Sequence, residues 1–200
     1  KAIVIDGIVP AIVSTAFTSP AGNDHLTVTF SEGIYNTNGG SGGVEKEDFN
    51  ITLTQNNGTV TAVTISSIYS DDFFAAVAPV GGETSISFNL ELTGIPSGVE
   101  SIMITPKSAS IFDIAGNDAS TIAQGNNSVV LKDQTAPTIS SVSLASDNST
   151  IAVTFSEAVY NTNGGSGALE ANDFNLVMGN DPVGDKAKLS SNTPSSISAD

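Results

Sequence analysis

A segment of this chain occurs twice, and this repetition limits the fold more than any other feature of the sequence. Residues 28–42 read VTFSEGIYNTNGGSG and residues 153–167 read VTFSEAVYNTNGGSG, at an offset of 125. Over the longer stretch 28–51, 17 of 24 positions are identical in the second copy. Upstream, Asp6 and Pro10 correspond to Asp133 and Pro137 at an offset of 127. A period of this length is typical of one domain, so the sequence predicts tandem domains.

The repeat predicts a domain boundary near Asp133. The first domain, residues 1–133, is then complete, whereas residues 134–200 correspond to the N-terminal half of a second domain, which we expect to be truncated. A β-domain without its later strands exposes an apolar face and a sheet edge. We therefore expect residues 134–200 to favour pairing with another chain, with a strand-exchanged dimer as one outcome.

Alternation of apolar and polar residues is common along the chain, whereas helical periodicity is hard to find. Asn56-Asn57-Gly58 lies between two alternating segments and predicts a hairpin turn. Seven or eight short strands in one repeat, each with one apolar face, predict an all-β fold built of antiparallel β-sandwiches. The predicted strands are Leu26–Phe30, Phe49–Leu53, Val60–Ile65, Phe73–Val77, Ser85–Leu92, Val99–Ile104, Val129–Leu131 and Ile151–Phe155.

Composition excludes several classes of function. There are 21 Asp and Glu but only 6 Lys and no Arg, for a net charge of −15, which argues against binding nucleic acid or an anionic membrane. Without Cys, and with one His, the chain has little material for thiolate chemistry or general acid–base catalysis, so we predict a non-catalytic protein. No apolar run approaches the roughly 18 residues of a membrane helix. The abundance of Ser, Thr and Gly is typical of secreted proteins and favours an extracellular or cell-surface location.

Four short motifs stand out along the chain: Asp133-x-x-Ala-Pro-Thr-Ile139, Ile151-x-Val-Thr-Phe-Ser-Glu-x-Val159, Asp173-Phe174 and Asp113-Ile-Ala-Gly-Asn117. Together they resemble bacterial immunoglobulin-like repeats, the modules of surface-layer proteins, large adhesins and multidomain secreted enzymes. The resemblance implies tandem immunoglobulin-like β-sandwiches. As a function it implies a spacer or adhesion segment of a larger protein, with neighbouring repeats and a cell-surface glycan or protein as partners. The alternative is a carbohydrate- or ligand-binding accessory module of a secreted polysaccharide-degrading enzyme.

Similarity between the two copies is uneven, because residues 28–51 hardly differ while their flanks match poorly. A loop rich in Gly and Asn normally diverges first. One interpretation is structural: the loop needs positive φ angles, and its acids satisfy backbone donors. A second interpretation is a ligand or metal site, with oxygen donors that include Glu45, and a third is sequence homogenisation between repeats.

Carboxylates predict a metal site at one end of each sandwich. In an immunoglobulin-type sandwich the segment leading into the first strand, the loop after the second strand and the loop before the last strand lie at the same end. Crowded carboxylates repel one another unless a cation bridges them, and an all-oxygen set favours Ca²⁺, which we expect to rigidify the tandem array. The candidate ligands are Asp6, Glu32, Asp48, Asp113 and Asp118 in the first copy and Asp133, Glu157 and Asp173 in the second.

The repeated loop also contains candidate ligand-binding residues. Tyr35 and Tyr160 occupy matching positions, where an aromatic ring can stack on a sugar or close the end of the sandwich. Asn36 and Asn38 offer side-chain amides to the same ligand. The absence of Trp disfavours a carbohydrate-binding platform.

Overall fold

The chain divides into two compact units, Lys1–Thr135 (unit 1) and Ala136–Asp200 (unit 2). The computed structural model describes residues 6–18, 22–70, 76–177 and 189–199. This part of the chain is all-β, with antiparallel strand pairs and short 3₁₀ turns, which confirms the predicted all-β class with antiparallel sheets. Within it, no helix has the length and apolar character needed to cross a membrane.

Unit 1 forms two antiparallel sheets. One sheet has the strand order β1-β2-β5-β4, and the other has the order β3-β6-β7. The 3₁₀ turns Lys46–Asp48 and Gly125–Asn127 lead directly into β3 and β7. The strands are β1 (Ile12–Phe17), β2 (His25–Ile34), β3 (Phe49–Thr54), β4 (Ala62–Ser70), β5 (Glu83–Thr93), β6 (Ser101–Pro106) and β7 (Ser128–Val130).

The core of unit 1 lies between these two sheets. Alternate residues of β2, Leu26, Val28 and Phe30, are at most 3% exposed, because successive side chains of a strand point to opposite faces. From the other sheet, the Phe49 ring lies edge-on at 4.8 Å from the Phe88 ring of β5. This T-shaped pair is a favourable aromatic geometry and joins the sheets at the centre of the core.

Unit 2 repeats the first hairpin of unit 1. Strands β8 (Ile139–Leu144) and β9 (Ile151–Phe155) pair antiparallel, with a register shift after Ile139 that matches the shift after Ile12 in β1. A 3₁₀ turn, Ala171–Asp173, occupies the position of Lys46–Asp48. In the described part of unit 2 these two strands form the only sheet.

The prediction of a hairpin at Asn56-Asn57-Gly58 is wrong, although a tight turn does form there. Asn56 and Asn57 have φ angles of 48° and 66°, and the Gly58 N–H donates to the Gln55 carbonyl at 2.7 Å. However, β3 pairs with β6 and β4 pairs with β5. The turn therefore carries the chain from one sheet to the other instead of joining two paired strands.

Three further strands differ between prediction and structure. Of the predicted strand Phe73–Val77, residues 73–75 lie outside the described residues, and Ala76 is in a turn with φ of 49°. The structure also contains β1 and β8, which the alternation does not predict. Their sequences, IVSTAF and ISSVSL, are rich in small polar residues and lack a strict two-residue period.

Candidate metal centre

Three carboxylates from distant parts of the sequence meet in unit 1. Asp6 precedes β1, Glu32 lies near the end of β2, and Asp113 lies in the connection between β6 and β7. Each supplies an oxygen such that the three atoms lie within 4.8 Å of one another. Asp113 is fully buried, whereas Asp6 and Glu32 are half-buried. We refer to these three residues as the acidic triad.

Asp113 is held by Asn117. The Asn117 backbone N–H donates to Asp113 Oδ1 at 2.8 Å, and the Asn117 Nδ2 donates to Oδ2 at 2.7 Å. Burial acts to raise the pKa of Asp113, but these hydrogen bonds and backbone N–H groups of the same turn bring the pKa below its ordinary value. Asp113 is therefore a buried, ionised carboxylate.

Asn117 also ties the segment before β1 to this turn. Its Nδ2 lies 3.2 Å from the carbonyl oxygens of Asp6 and of Ile8. The Ile8 N–H in turn donates to Asp6 Oδ1 at 3.1 Å. One amide side chain thus places Asp6 beside Asp113.

The Asp113 turn is fixed to the end of β2 by backbone pairing. Tyr35 and Phe112 exchange two N–H to carbonyl hydrogen bonds of 2.8 Å each. Gly116, with φ of 93°, closes the turn through an N–H donated to the Asp113 carbonyl at 3.2 Å. Because Glu32 is close in sequence to Tyr35, this pairing also brings Glu32 towards Asp113.

Of the three carboxylates, that of Glu32 has the fewest hydrogen-bond donors. Desolvation is the largest cause of the raised pKa of Glu32, and the nearby carboxylates of Asp113 and Asp6 raise this pKa further. Among the described residues, none donates a hydrogen bond to this carboxylate. Ionisation of Glu32 therefore places a negative charge next to two others, and no cationic side chain of the described residues offsets it.

The acidic triad fits a hard cation. Its donors are all carboxylate oxygens, which suit Ca²⁺ or Mg²⁺ far better than ions that prefer thiolate or imidazole. An ion held here would complete its shell with water, and the flexible coordination by six to eight oxygens that Ca²⁺ accepts would suit such a partly exposed site better than the strict octahedron of Mg²⁺. Among the described residues, no other group of three or more Asp, Glu or His side chains comes as close together.

The remaining predicted metal ligands lie outside the triad. Asp48 accepts the Glu45 N–H at 2.8 Å, and its counterpart Asp173 accepts the Glu170 N–H at 2.7 Å. Asp118 accepts the Ala109 N–H at 3.0 Å. Asp133 accepts the N–H and the hydroxyl of Thr135, and Glu157 is half-buried in unit 2.

Asp48 illustrates the structural role of these acids. Its side chain and that of Glu45 form a reciprocal capping box around the turn Lys46–Asp48. Desolvation raises the pKa of Asp48, and this effect outweighs the Glu45 hydrogen bond and the charge of Lys107, which lower it. Glu170 and Asp173 form the same capping box in unit 2.

The repeated loop has the same internal hydrogen bonds in both units. The Asn36 N–H donates to the Gly42 carbonyl at 3.1 Å, and the Thr37 hydroxyl donates to the Ser41 carbonyl. In unit 2 the equivalent residues, 161–167, make the same two contacts. The glycines that permit this turn have matching positive φ angles, 101°, 78° and 77° in unit 1 and 101°, 74° and 84° in unit 2.

The predicted ligand-binding residues occupy different environments. Tyr35 is half-buried, and a Cβ at Gly81 would lie 2.8 Å from its ring carbon Cδ1, so the ring packs on that backbone. The Asn36 Oδ1 is buried over Gly42, and among the described residues it accepts no hydrogen bond. The Asn38 Oδ1 lies against Gly116 of the Asp113 turn, whereas Tyr160 in unit 2 is 52% exposed.

Two residues that hold unit 1 together are missed by the sequence reasoning. Asn117 is one, and the turn sequence Asp113-Ile-Ala-Gly-Asn117 is the feature that could have identified it. The other is Glu100, which is fully buried yet accepts backbone N–H groups from Thr59 at 2.7 Å, Val60 at 3.1 Å and Ser97 at 3.0 Å. These bonds outweigh burial and lower the pKa of Glu100 to about 2. The sequence feature that could have identified Glu100 is its place in the predicted strand Val99–Ile104, where it alternates with Ile102 and Ile104 on the apolar face.

Comparison of the chain with protein-family models, with curated proteins and with solved structures finds no match. The fold and the acidic triad therefore define this molecule only as an all-β protein of antiparallel sheets with a cluster of three carboxylates.

Proposed function

We propose that the chain is a non-catalytic tandem segment of immunoglobulin-like modules, acting as a spacer or adhesion segment of a larger secreted or cell-surface protein. The strand orders β1-β2-β5-β4 and β3-β6-β7 support this proposal, since the constant-type immunoglobulin fold has the orders ABED and CFG. The repetition of β1, β2 and the following loop in unit 2 supports the tandem arrangement. Neighbouring repeats of the same kind are the expected partners.

We further propose that Ca²⁺ rigidifies this segment by binding the acidic triad. The observation that carries the proposal is the convergence of Asp6, Glu32 and Asp113 within 4.8 Å, from three separate stretches of sequence. A divalent cation replaces the mutual repulsion of three carboxylates by attraction to a common centre. Because Asp6 belongs to the segment that leads into β1, such an ion fixes the entrance of the chain to the rest of unit 1.

The raised pKa of Glu32 leads to a specific expectation for the metal-free protein. A carboxyl group whose pKa is higher in the folded state destabilises the fold when it ionises, so stability falls as pH rises through that pKa. At pH 7 without calcium, Glu32→Gln is therefore expected to melt at or above the temperature of the wild type. With calcium the order is reversed, because the variant lacks one ligand.

The test is thermal melting of the full chain in excess calcium and in excess chelator, for the wild type and for Glu32→Gln. Free calcium at about 100 times its dissociation constant adds about 2.7 kcal/mol to the stability of a protein that binds it only when folded. Glu47→Gln is the matched control, because the Glu47 side chain is 67% exposed and lies outside the triad. We expect the control to keep the full calcium response and Glu32→Gln to lose most of it.

The calcium proposal fails if the wild-type melting temperature is the same in calcium and in chelator and no metal is found by elemental analysis. It also fails if Glu32→Gln and Glu47→Gln respond equally to calcium. The spacer proposal has a separate test, which is small-angle scattering of a longer fragment carrying further repeats. An elongated array supports a spacer, and a compact particle contradicts it.

A further inference from the structure

The turn at Asn56-Asn57-Gly58 has a chemistry that the proposed function does not use. Asn57 is exposed and has a φ of 66°, in the left-handed region that Asn tolerates better than most residues with a side chain. Gly58 follows it directly. An Asn followed by Gly is especially prone to lose its side-chain amide in water, because Gly has no side chain to shield its backbone nitrogen.

The reaction has two steps and needs only water as a co-reactant. The Gly58 backbone nitrogen attacks Cγ of Asn57 and forms a new C–N bond, while the bond from Cγ to Nδ2 breaks. The proton of the Gly58 N–H leaves with Nδ2 as ammonia, and a five-membered succinimide ring remains. Water then opens the ring at either of its carbonyl carbons, which leaves an aspartate or an isoaspartate at position 57. No atom is oxidised or reduced.

Glu100 explains why a glycine stands at position 58. A Cβ at Gly58 would lie 2.2 Å from both Cδ and Oε1 of Glu100, so any side chain there would displace this buried carboxylate. Asn57, in turn, suits the positive φ that the turn requires. The reactive pair is therefore a consequence of how the turn packs on Glu100.

The same packing holds the attacking nitrogen in place. The Gly58 N–H donates to the Gln55 carbonyl at 2.7 Å, and the next N–H, that of Thr59, donates to Glu100 Oε1 at 2.7 Å. Ring closure requires the Gly58 nitrogen to leave its hydrogen bond and the backbone of the turn to rotate. The reaction therefore proceeds from an open form of the turn, and the hydrogen bonds to Glu100 keep that form rare.

We propose that Asn57 is a site of spontaneous deamidation whose rate is controlled by Glu100. While the carboxylate holds the turn, Asn57 keeps its amide, and when the turn opens the succinimide forms. An isoaspartate adds one carbon to the main chain of the turn, so the Thr59 and Val60 N–H groups no longer reach Glu100 together. The modification therefore loosens the crossing between the two sheets permanently. This site is independent of the acidic triad and of the spacer role.

Two other Asn-Gly pairs in the chain serve as internal references. Asn38-Gly39 lies in the repeated loop of unit 1, and Asn163-Gly164 lies at the matching position of unit 2. The donors to the Glu100 carboxylate lie outside both loops. A change at Glu100 that opens only its own turn therefore leaves these two sites unaltered, whereas unfolding of unit 1 exposes Asn38 as well.

The test is peptide mapping by mass spectrometry of the full chain after incubation at mildly alkaline pH, which measures amide loss at each Asn-Gly pair. The chain unfolded in urea gives the rate without restraint. We expect Asn57 of the folded wild type to react at least about tenfold more slowly than in urea, and Glu100→Gln to raise the folded-state rate by about tenfold. Glu91→Gln, at an exposed position of β5, is the matched control and is expected to keep the wild-type rate.

Asn56→Gly is a second variant, which keeps the test decisive if Glu100→Gln fails to fold. It removes the hydrogen bond of 2.9 Å from Asn56 Nδ2 to the Val99 carbonyl, while glycine tolerates the φ of 48° at this position. We expect Asn57 to lose its amide about three- to tenfold faster in this variant than in the wild type.

Three results would overturn this proposal. The first is a rate at Asn57 of the folded wild type equal to the rate in urea, since the turn would then give no protection. The second is an unchanged rate at Asn57 in both Glu100→Gln and Asn56→Gly. The third is equal acceleration of Asn38 and Asn57 in Glu100→Gln, since unit 1 would then unfold as a whole instead of opening at the turn.

Discussion

The two copies of the first hairpin have the same backbone but different surroundings. In unit 1, β1 and β2 are part of a closed core, with Leu26 and Val28 fully buried. In unit 2, β8 and β9 pair in the same register while Ile151 remains 45% exposed. The comparison separates two contributions to the fold: hydrogen bonds and turns come from nearby residues, whereas burial comes from strands that are distant in the sequence.

The repeated loop supports this separation. In unit 1 the loop contacts the Asp113 turn, since Gly40 lies against Ile114 and Asn38 lies against Gly116. In unit 2 the loop keeps its Thr162 to Ser166 contacts and its positive φ glycines. Local turn chemistry therefore accounts for much of the sequence identity between the copies, as the structural interpretation predicts. It does not account for the identity of Glu32 and Glu157, because the Glu32 carboxylate takes no part in the hydrogen bonds of the turn.

The largest expected effect distinguishes the two hairpins directly. Phe30→Ala removes a ring that is 3% exposed in the core and should lower the free energy of unfolding of unit 1 by about 3 to 5 kcal/mol. The matched change, Phe155→Ala, should alter that value by less than about 0.5 kcal/mol, since it lies in the other unit. Urea unfolding followed through resolved methyl signals of unit 1 measures both, and equal losses would contradict the comparison.

The second prediction concerns Glu100, which has no counterpart among residues 136–200. Glu100→Gln keeps the shape of the side chain but replaces the carboxylate that accepts the Thr59 and Val60 N–H groups by a neutral amide, at an expected cost of about 2 kcal/mol. Glu91→Gln, at an exposed position of β5, is the control and should change stability by less than about 0.5 kcal/mol. Equal effects of the two changes would show that the buried carboxylate does not hold the turns together.

The third prediction is the pH dependence of the same group. Backbone hydrogen bonds lower the pKa of Glu100 from its ordinary value of 4.5 to about 2 in the folded protein, so its ionised form stabilises the fold. That contribution is present above pH 4.5 and is lost as pH falls towards 2. We therefore expect unit 1 of the wild type to lose more stability over this interval than Glu100→Gln does, measured by urea unfolding at each pH. Parallel pH profiles would contradict the assignment.

The smallest effect concerns the repeated loop. Gly42 has φ of 77°, and a Cβ there would lie 2.2 Å from Asn36 Oδ1, so Gly42→Ala should cost about 1 to 2 kcal/mol. Gly125→Ala is the control, because a Cβ at Gly125 meets nothing within 4 Å. Thermal melting measures both, and a neutral Gly42→Ala would remove the structural explanation of the loop.

Much of the secondary structure follows from the sequence, because alternation is a local property. The strands around Leu26–Phe30 and Ser85–Leu92 are predicted in this way, while β1 is missed because small polar residues obscure its period. The turn at Asn56-Asn57-Gly58 is predicted but its partner strands are not, since pairing depends on distant residues.

Part of the site can also be predicted. The loop order of an immunoglobulin-type sandwich brings Asp6, Glu32 and Asp113 together in the prediction, and these three do converge. The same reasoning includes Asp48 and Asp118, whose carboxylates accept backbone N–H groups instead. Sequence alone does not distinguish an acid that caps a turn from an acid that faces other acids, because the difference is a matter of side-chain direction.

The most direct test of the calcium proposal is the number of calcium ions bound per chain, measured by isothermal titration and checked by elemental analysis after dialysis. Calcium sites of extracellular modules have dissociation constants of about 0.1 to 1 mM, so the titration should extend to about 10 mM. We expect one ion per wild-type chain and strongly weakened binding in Glu32→Gln, with Glu47→Gln unchanged. No bound calcium in the folded wild type at this concentration, or undiminished binding in Glu32→Gln, would contradict it.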